Sequence, residues 1–297
     1  MSLGVDLSPS KKQCNFDCLY CELAPMATVS SQSETIEVNE VISELTKHLH
    51  DKIDVITLTA NGEPTLYPHL SELIDEIDKI KGDTQTLILT NSATLVNKDV
   101  FSSLLKLDQV KLSLDAVSPD IFKKIDRPDN SIHIDEIVSK VIEFSKVYTG
   151  KLFIEILFVY GLNDTEEEVE KLNEALLKLQ NVYRVDIGTI DRPPAYPVSG
   201  ISYKELYNLS LMFDNSLPIH IASRVHAEPN NKEYSSDEIL NTLDKRPLTL
   251  DDLELLLDEE SMKRFHKLLN NKKIATKYVG NLEFFLPASN TKRKLNK

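Results

Sequence analysis

Cys14, Cys18 and Cys21, all the cysteines of the chain, fall in one eight-residue run, CNFDCLYC. Thiolates at this spacing are ligands for a metal centre. A [4Fe–4S] cluster ordinarily takes four cysteines, so a set of three leaves one iron open to a small molecule. Zinc is the alternative. It takes four N, O or S donors in a tetrahedron, and a carboxylate or a histidine such as His69 would have to fold back to complete the set. A disulfide framework is disfavoured because the count is odd, the chain has 297 residues, and no charged and then apolar leader opens the sequence. Such thiols suit a reducing compartment.

The other residues able to do chemistry sit where apolar runs end. NGEP (Asn61, Gly62, Glu63, Pro64) follows one such run, Thr90-Asn91 the next, Ser113 and Asp115 a third, and Asn163 a fourth. A polar side chain at the carboxyl edge of a strand can reach a ligand or cap the next helix. Glu155 is different, because it interrupts an apolar strand, and a buried carboxylate needs a partner. Arg127, followed by Pro128, and Arg192, followed by two prolines, are candidates for pairing with a carboxylate or phosphate.

These positions need a scaffold, and the alternation of short β-branched runs with helical periods supplies one. Strands are expected at 2–7, 54–60, 85–90, 110–115, 152–159 and 182–190. Amphipathic helices lie between them. This pattern predicts an α/β fold of six βα units, either a partial (β/α)6 barrel or a doubly wound sheet. In both, active sites gather at the carboxyl ends of the strands. The alternation stops near Pro194. A connecting region over 201–234 then leads to residues 235–297, where three short helices and a hairpin turning at Gly280-Asn281 predict a winged helix-turn-helix domain ending in a basic tail. The barrel is assigned to 1–200.

The net charge of −13 argues against nucleic-acid binding through the overall field, although the residues from Pro247 onward carry a positive balance. At 41% hydrophobic and 27% charged residues, with no apolar run near the eighteen or so of a membrane span, the composition predicts a soluble cytoplasmic protein with no membrane association. Within the terminal domain, Lys263, Arg264, His266, Lys267 and Asn270 would face a nucleic acid on the third helix, and a peptide is the alternative partner.

The Cx3CxxC run, with Tyr20 before its last cysteine, resembles the signature of the radical S-adenosylmethionine (SAM) enzymes, and NGEP resembles their GGEP element with Asn for the first glycine. The resemblance implies a partial barrel and a [4Fe–4S] cluster on Cys14, Cys18 and Cys21. It also implies SAM on the open iron, cleaved to methionine and a 5′-deoxyadenosyl radical by an electron from a donor such as flavodoxin or ferredoxin. It further places Tyr20, Asn61, Gly62, Glu63, Thr90, Asn91, Ser113, Asp115 and Asn163 around the cofactor. Glu155, Arg127 and Arg192 fall on the substrate side. SLGVDLSPSKKQCNFDCLYCEL, NGEPTL, SLDA, GLND and RPP together resemble the tRNA 4-demethylwyosine synthase branch. No cysteine remains for that branch's second cluster, so its pyruvate condensation is not expected here. The expected function is radical modification of tRNA or another RNA. A peptide-modifying radical SAM enzyme and a non-enzymatic, redox-sensing winged-helix regulator are the alternatives.

Overall fold

A computed structural model describes residues 1–8, 10–49, 52–221, 233–245, 247–279 and 282–289. Strand and helix alternate as β1 (Ser2–Asp6), α1 (Val38–His48), β2 (Val55–Thr59), α2 (Leu70–Ile80), β3 (Gln85–Thr90), α3 (Lys98–Leu104), β4 (Gln109–Ser113), α4 (Pro119–Ile125), α5 (Ile134–Val147), β5 (Lys151–Phe158), α6 (Glu166–Leu176), β6 (Val182–Thr189), α7 (Tyr203–Ser210) and β7 (Ile219–Ile221). All seven strands are parallel and hydrogen-bonded in chain order. A doubly wound sheet reverses its order at a switch point, and this one does not. The connections therefore wind in one sense and curl the sheet into a partial barrel.

The sheet is one strand wider than the sequence pattern gives. β7 pairs with β6 through Val185, Asp186 and Ile187, and α7 packs nearby, so residues 203–221 extend the barrel instead of merely connecting. Three strand residues in a polar, proline-containing stretch are too few to show a period. α4 escapes detection similarly, being seven residues long with Pro119 in its first turn and two lysines in its last.

Burial alternates along the strands because only one face is covered. Ile56, Leu58, Ile88, Val110, Leu112, Ile154, Ile156, Val185 and Ile187 are fully buried, in one core with helix residues such as Leu73, Ile77, Phe144 and Leu172. Their neighbours in β2, β3 and β4 are only partly covered. That opposite, concave face carries Lys111, Ser113 and Glu155.

After the barrel come α8 (Ser236–Lys245), α9 (Leu250–Leu256), α10 (Glu259–Asn270) and an antiparallel pair, β8 (Ile274–Val279) and β9 (Leu282–Pro287). They bury their own apolar cluster of Ile239, Leu243, Leu248, Leu253, Leu257, Phe265, Ile274 and Phe285. Thr249 and Asp252 form the capping box that starts α9. The Gly280-Asn281 turn and the basic tail lie outside the described residues. No described helix is long and apolar enough to cross a membrane.

One buried amide fixes how the strand tips lie. Asn163, wholly inaccessible, accepts from the Val159 amide and donates to the carbonyls of Asp115 and Leu157, all at 2.8 Å. It joins the exits of β4 and β5 and has no side-chain group left for a cofactor. Asn163→Ala leaves three buried backbone groups without partners. It is expected to cost about 3 kcal/mol and lower Tm by roughly 10 °C, read by thermal denaturation.

Candidate metal and cofactor site

The three thiols lie on the loop leaving β1, which contains no regular secondary structure and is held by three other segments of the barrel. Gln13 pairs with the chain leaving β2: its amide donates to Asn61 O at 2.8 Å, and its carbonyl accepts from Glu63 N at 3.0 Å. Between them Gly62 has φ +132°, and a Cβ there would sit 2.1 Å from Gln13 O. The Gly62 requirement therefore comes from the cysteine loop's own backbone. The Gln13 side chain, 1% exposed, donates to Ser8 Oγ and Glu34 O and accepts from the amides of Ser33 and Glu34.

Farther along the loop, the turn after α4 provides the grip. Phe16 bridges to Pro128, the amide of Asp17 donates to the carbonyls of Asp126 and Arg127, and Leu19 N donates to Ile125 O. The Asp17 carboxylate takes Lys12 Nζ at 3.1 Å, Arg127 at 3.5 Å and the Tyr196 hydroxyl. Cys21 O accepts from Ala195 N, and Glu22 pairs with Arg192 at 3.0 Å. Both arginines expected on the substrate side thus hold the loop itself.

A second network connects the tips of β2, β3 and β4. Glu63, 2% exposed, accepts from Thr65 N and Oγ1, Thr90 Oγ1 and Asn91 N at 2.6–3.0 Å. Burial outweighs these bonds and raises its pKa. Asn91 donates to Asn15 Oδ1 at 2.6 Å and lies 3.8 Å from Cys14 Sγ, while the Ser92 hydroxyl donates to Ser113 O. Asn61 donates from its amide and side chain to Asp6. Under the loop, the Tyr20 hydroxyl donates to Asp115 at 2.5 Å and lies 3.5 Å from Asp126. Both acids are raised by burial, Asp115 to about 7.

Of the residues expected around a cofactor, Tyr20, Asn91, Ser113 and Asp115 line one void of about 10 Å³ beneath the loop, space for a single water at most. Glu63, Thr90, Asp115 and Asn163 are buried and bonded to protein, whereas Tyr20, Asn61, Gly62, Asn91 and Ser113 keep partial access. Glu155 stands apart on the concave face. Lys111 lies 3.0 Å from both Glu155 and Asp186, and Asp186 also takes Arg184 at 2.7 Å and His220 at 3.1 Å. Sequence reasoning missed Lys12, Gln13, Asn15, Asp17, Asp126 and Asp186. For Lys111 and Asp186 a signal existed, since each interrupts an apolar strand as Glu155 does.

The donor set fits an iron–sulfur cluster better than zinc. Among the described residues no group of three or more His, Cys, Asp and Glu could hold one metal ion, so the thiols do not converge on a single centre. A cubane binds each thiolate through a different iron. Burial raises Cys14 to about 12 and also raises Cys18 and Cys21, with Lys12 pulling Cys14 and Cys21 back down. Without metal the thiols hold their protons at neutral pH, and loading releases them.

A family model described as the radical SAM superfamily matches residues 10–176, a stretch that contains the cysteine loop and β2 to β5. The chain belongs to the radical SAM superfamily. It is 41% identical over 288 residues, 96% of this chain and 92% of the relative, to a UPF0026 protein of Helicobacter pylori. It is 25% identical over 154 residues, 52% of this chain and 45% of the relative, to the GTP 3′,8-cyclase of Limosilactobacillus fermentum. A radical SAM methyltransferase from Sphaerobacter thermophilus matches with a TM-score of 0.56 over 75% of this chain and 67% of that one at 15% identity, a likeness of fold alone. This radical SAM protein is accordingly an enzyme, and the cofactors of its superfamily are a [4Fe–4S] cluster and SAM.

The raised Asp115 makes a prediction for the metal-free protein. An acid whose pKa rises on folding favours the fold while protonated, and that contribution is lost as pH climbs from the ordinary value of 3.8 through about 7. Stability should therefore fall by a few kcal/mol across this window. Asp115→Asn should flatten that slope in urea titrations at stepped pH. An unchanged slope would show that Asp115 ionises as easily folded as unfolded.

Proposed function

We propose that Cys14, Cys18 and Cys21 hold one [4Fe–4S] cluster and that SAM binds against it, contacted by the accessible residues Tyr20, Asn61, Gly62, Asn91 and Ser113. The observation that carries this reading is the construction of the loop, in which three sulfur donors are fixed by the exit of β2, the turn after α4 and the segment leaving β6. Bound there, the cluster would supply the electron that cleaves SAM to methionine and a 5′-deoxyadenosyl radical. The chain's own residues do the positioning. Gln13 and Glu63 fix the loop's entry, Asp17 and Arg192 fix its exit, and Lys12 sets a buried positive charge beside two of the thiols. Glu63, Thr90, Asp115 and Asn163 act by holding the tips that present the accessible contacts. Glu155 offers a half-exposed carboxylate to the substrate from the concave face.

For substrate we propose tRNA or another RNA, delivered by residues 235–297 acting as a winged-helix domain, with the barrel taken through β7. The order of elements supports this. Leu248, between α8 and α9, bridges Phe285 of β9 and adds a short third strand to the hairpin, as in a winged helix. Lys277 of β8 donates to Pro194 O, next to the residue that holds Cys21. On α10, Lys263 and Arg264 pair with Glu259, Glu260 and Glu233, which leaves His266, Lys267 and Asn270 exposed, with Lys272 and Lys273 just beyond.

Anaerobic reconstitution is expected to give a reducible iron–sulfur chromophore and slow release of 5′-deoxyadenosine, both lost in Cys14→Ala, Cys18→Ala and Cys21→Ala. Tightly bound zinc without SAM cleavage would sink the reading. For the RNA arm, Lys267→Glu with Lys273→Glu should weaken binding of bulk tRNA about tenfold at low salt in filter assays, the difference shrinking as salt rises. Equal binding by the parent and this variant would remove the terminal domain from RNA recognition.

A further inference from the structure

The polar row on the concave face ends in a histidine. Ser113 of β4, Glu155 of β5, Asp186 of β6 and His220 of β7 stand opposite one another in register. Adjacent strands lie about 4.8 Å apart, so the row spans roughly 14 Å. Its first member, Ser113, lines the void beneath the cysteine loop together with Asn91, whose amide lies 3.8 Å from Cys14 Sγ. The row thus begins at the accessible cofactor contacts and leads across the barrel to an imidazole.

Asp186 fixes that ring. Its Oδ1 lies 2.7 Å from Arg184 Nε and 3.1 Å from His220 Nδ1, while its Oδ2 takes Arg184 Nη2 at 3.1 Å and Lys111 Nζ at 3.0 Å. Burial pushes this carboxyl's pKa up, but Arg184 and Lys111 outweigh it and bring it below the ordinary carboxylate value. Asp186 is therefore ionised, and an ionised carboxylate only accepts. The proton between the two side chains sits on Nδ1, which leaves the lone pair of a neutral imidazole on Nε2.

Charge on this wall is balanced without the ring. Lys111 and Arg184 already offset Glu155 and Asp186, so the carboxylates need no third cation. What the contact supplies is orientation. Ile219 and Ile221, on either side of His220, pack into the core with α7 on the other face of β7, which turns the histidine to the concave side. Its side chain is 47% exposed and, among the described residues, has no polar partner besides Asp186. The charged groups facing it are Asp186 and Arg184 of β6, then Glu155 of β5 and Lys111 of β4. A buried carboxylate on Nδ1 and an open Nε2 make the arrangement in which a histidine serves as a general base.

We propose that His220 accepts a proton from an oxygen or nitrogen of the substrate while that substrate lies over Glu155, with Asp186 as the residue that positions the ring. This role rests on the radical SAM and RNA readings above and adds a proton step to them. The O–H or N–H bond of the substrate breaks, an N–H bond forms at Nε2, and the electron pair stays on the substrate. No electron is gained or lost. The imidazolium faces the Asp186 carboxylate and passes its proton to water at its exposed edge.

The test uses the full-length, cluster-loaded protein with SAM, dithionite and total RNA from cells that lack this enzyme. Altered nucleoside formed per 5′-deoxyadenosine released is the readout, so a general weakening of the cluster cancels. His220→Gln should lower this ratio about a hundredfold. His220→Ala should lose it too, and regain part of it when imidazole is added to the buffer. Nitrogen-15 spectra of labelled histidine should show His220 as the Nδ1–H tautomer in the parent and as the Nε2–H tautomer in Asp186→Asn, whose amide can donate to the ring. A ratio left at the parent value by His220→Gln would overturn the proposal. So would a fall that imidazole does not restore, which would make the residue structural, or a tautomer that Asp186→Asn leaves unchanged. A parent that releases 5′-deoxyadenosine but alters no nucleoside fails on the RNA reading first, and this role falls with it.

Discussion

The pairing of the Gln13 peptide with Asn61 and Glu63 is the constraint on which the site depends. It needs Gly62, because any Cβ at that position would lie inside the Gln13 backbone. Once the two chains are joined there, Glu63 points its carboxylate to the exit of β3, where Thr90 and Asn91 donate to it, and Asn91 returns to Asn15 beside Cys14. The ring closes through side chains that are nearly all buried. A loop without secondary structure has no ladder to satisfy its backbone, so each polar group must find a specific partner. Those partners are what give the three thiols fixed places.

Acidic groups outnumber cations around the loop. Glu63, Asp17, Glu22, Asp115 and Asp126 crowd the thiols, and Lys12, Arg127 and Arg192 are set against them at the loop. Burial drives the acids Glu63, Asp115 and Asp126 and all three cysteines toward their protonated forms. A basin of this kind favours a guest that brings positive charge and takes thiolates, and iron does both. The buried acids then become assets, since their hydrogen bonds orient Tyr20 and the tip of β5 around the guest.

Much of this was legible in the chain. The first six strands of the barrel sheet announced themselves as β-branched or apolar runs, and the cysteine run stood out because it holds every cysteine. What sequence order concealed was who holds whom. Arg127 and Arg192 read as free cations for a substrate, but they lie about 110 and 170 residues from the carboxylates they meet, Asp17 and Glu22. No local pattern encodes such pairs. NGEP read as a ligand contact, and the close approach that requires its glycine is to the protein's own backbone. The strand β7 was hidden for a simpler reason, since three residues cannot display an alternation.

The concave face draws the same distinction between support and contact. Ser113, Glu155, Asp186 and His220 stand in register across β4 to β7, one strand apart. The neighbours of Ser113, Glu155 and Asp186 on the other face are buried in the core under the helices, so this row lies on the opposite, open side. Asp186 is 3% exposed and clamped by Lys111, Arg184 and His220, which makes it a support. Among the described residues Glu155 pairs with Lys111 alone, and 39% of its side chain is exposed. With Lys111 and Arg184 set against Glu155 and Asp186, the wall is strongly polar but nearly neutral. A substrate entering the barrel would therefore be selected there by hydrogen bonds and shape, and any attraction through net charge must act outside it.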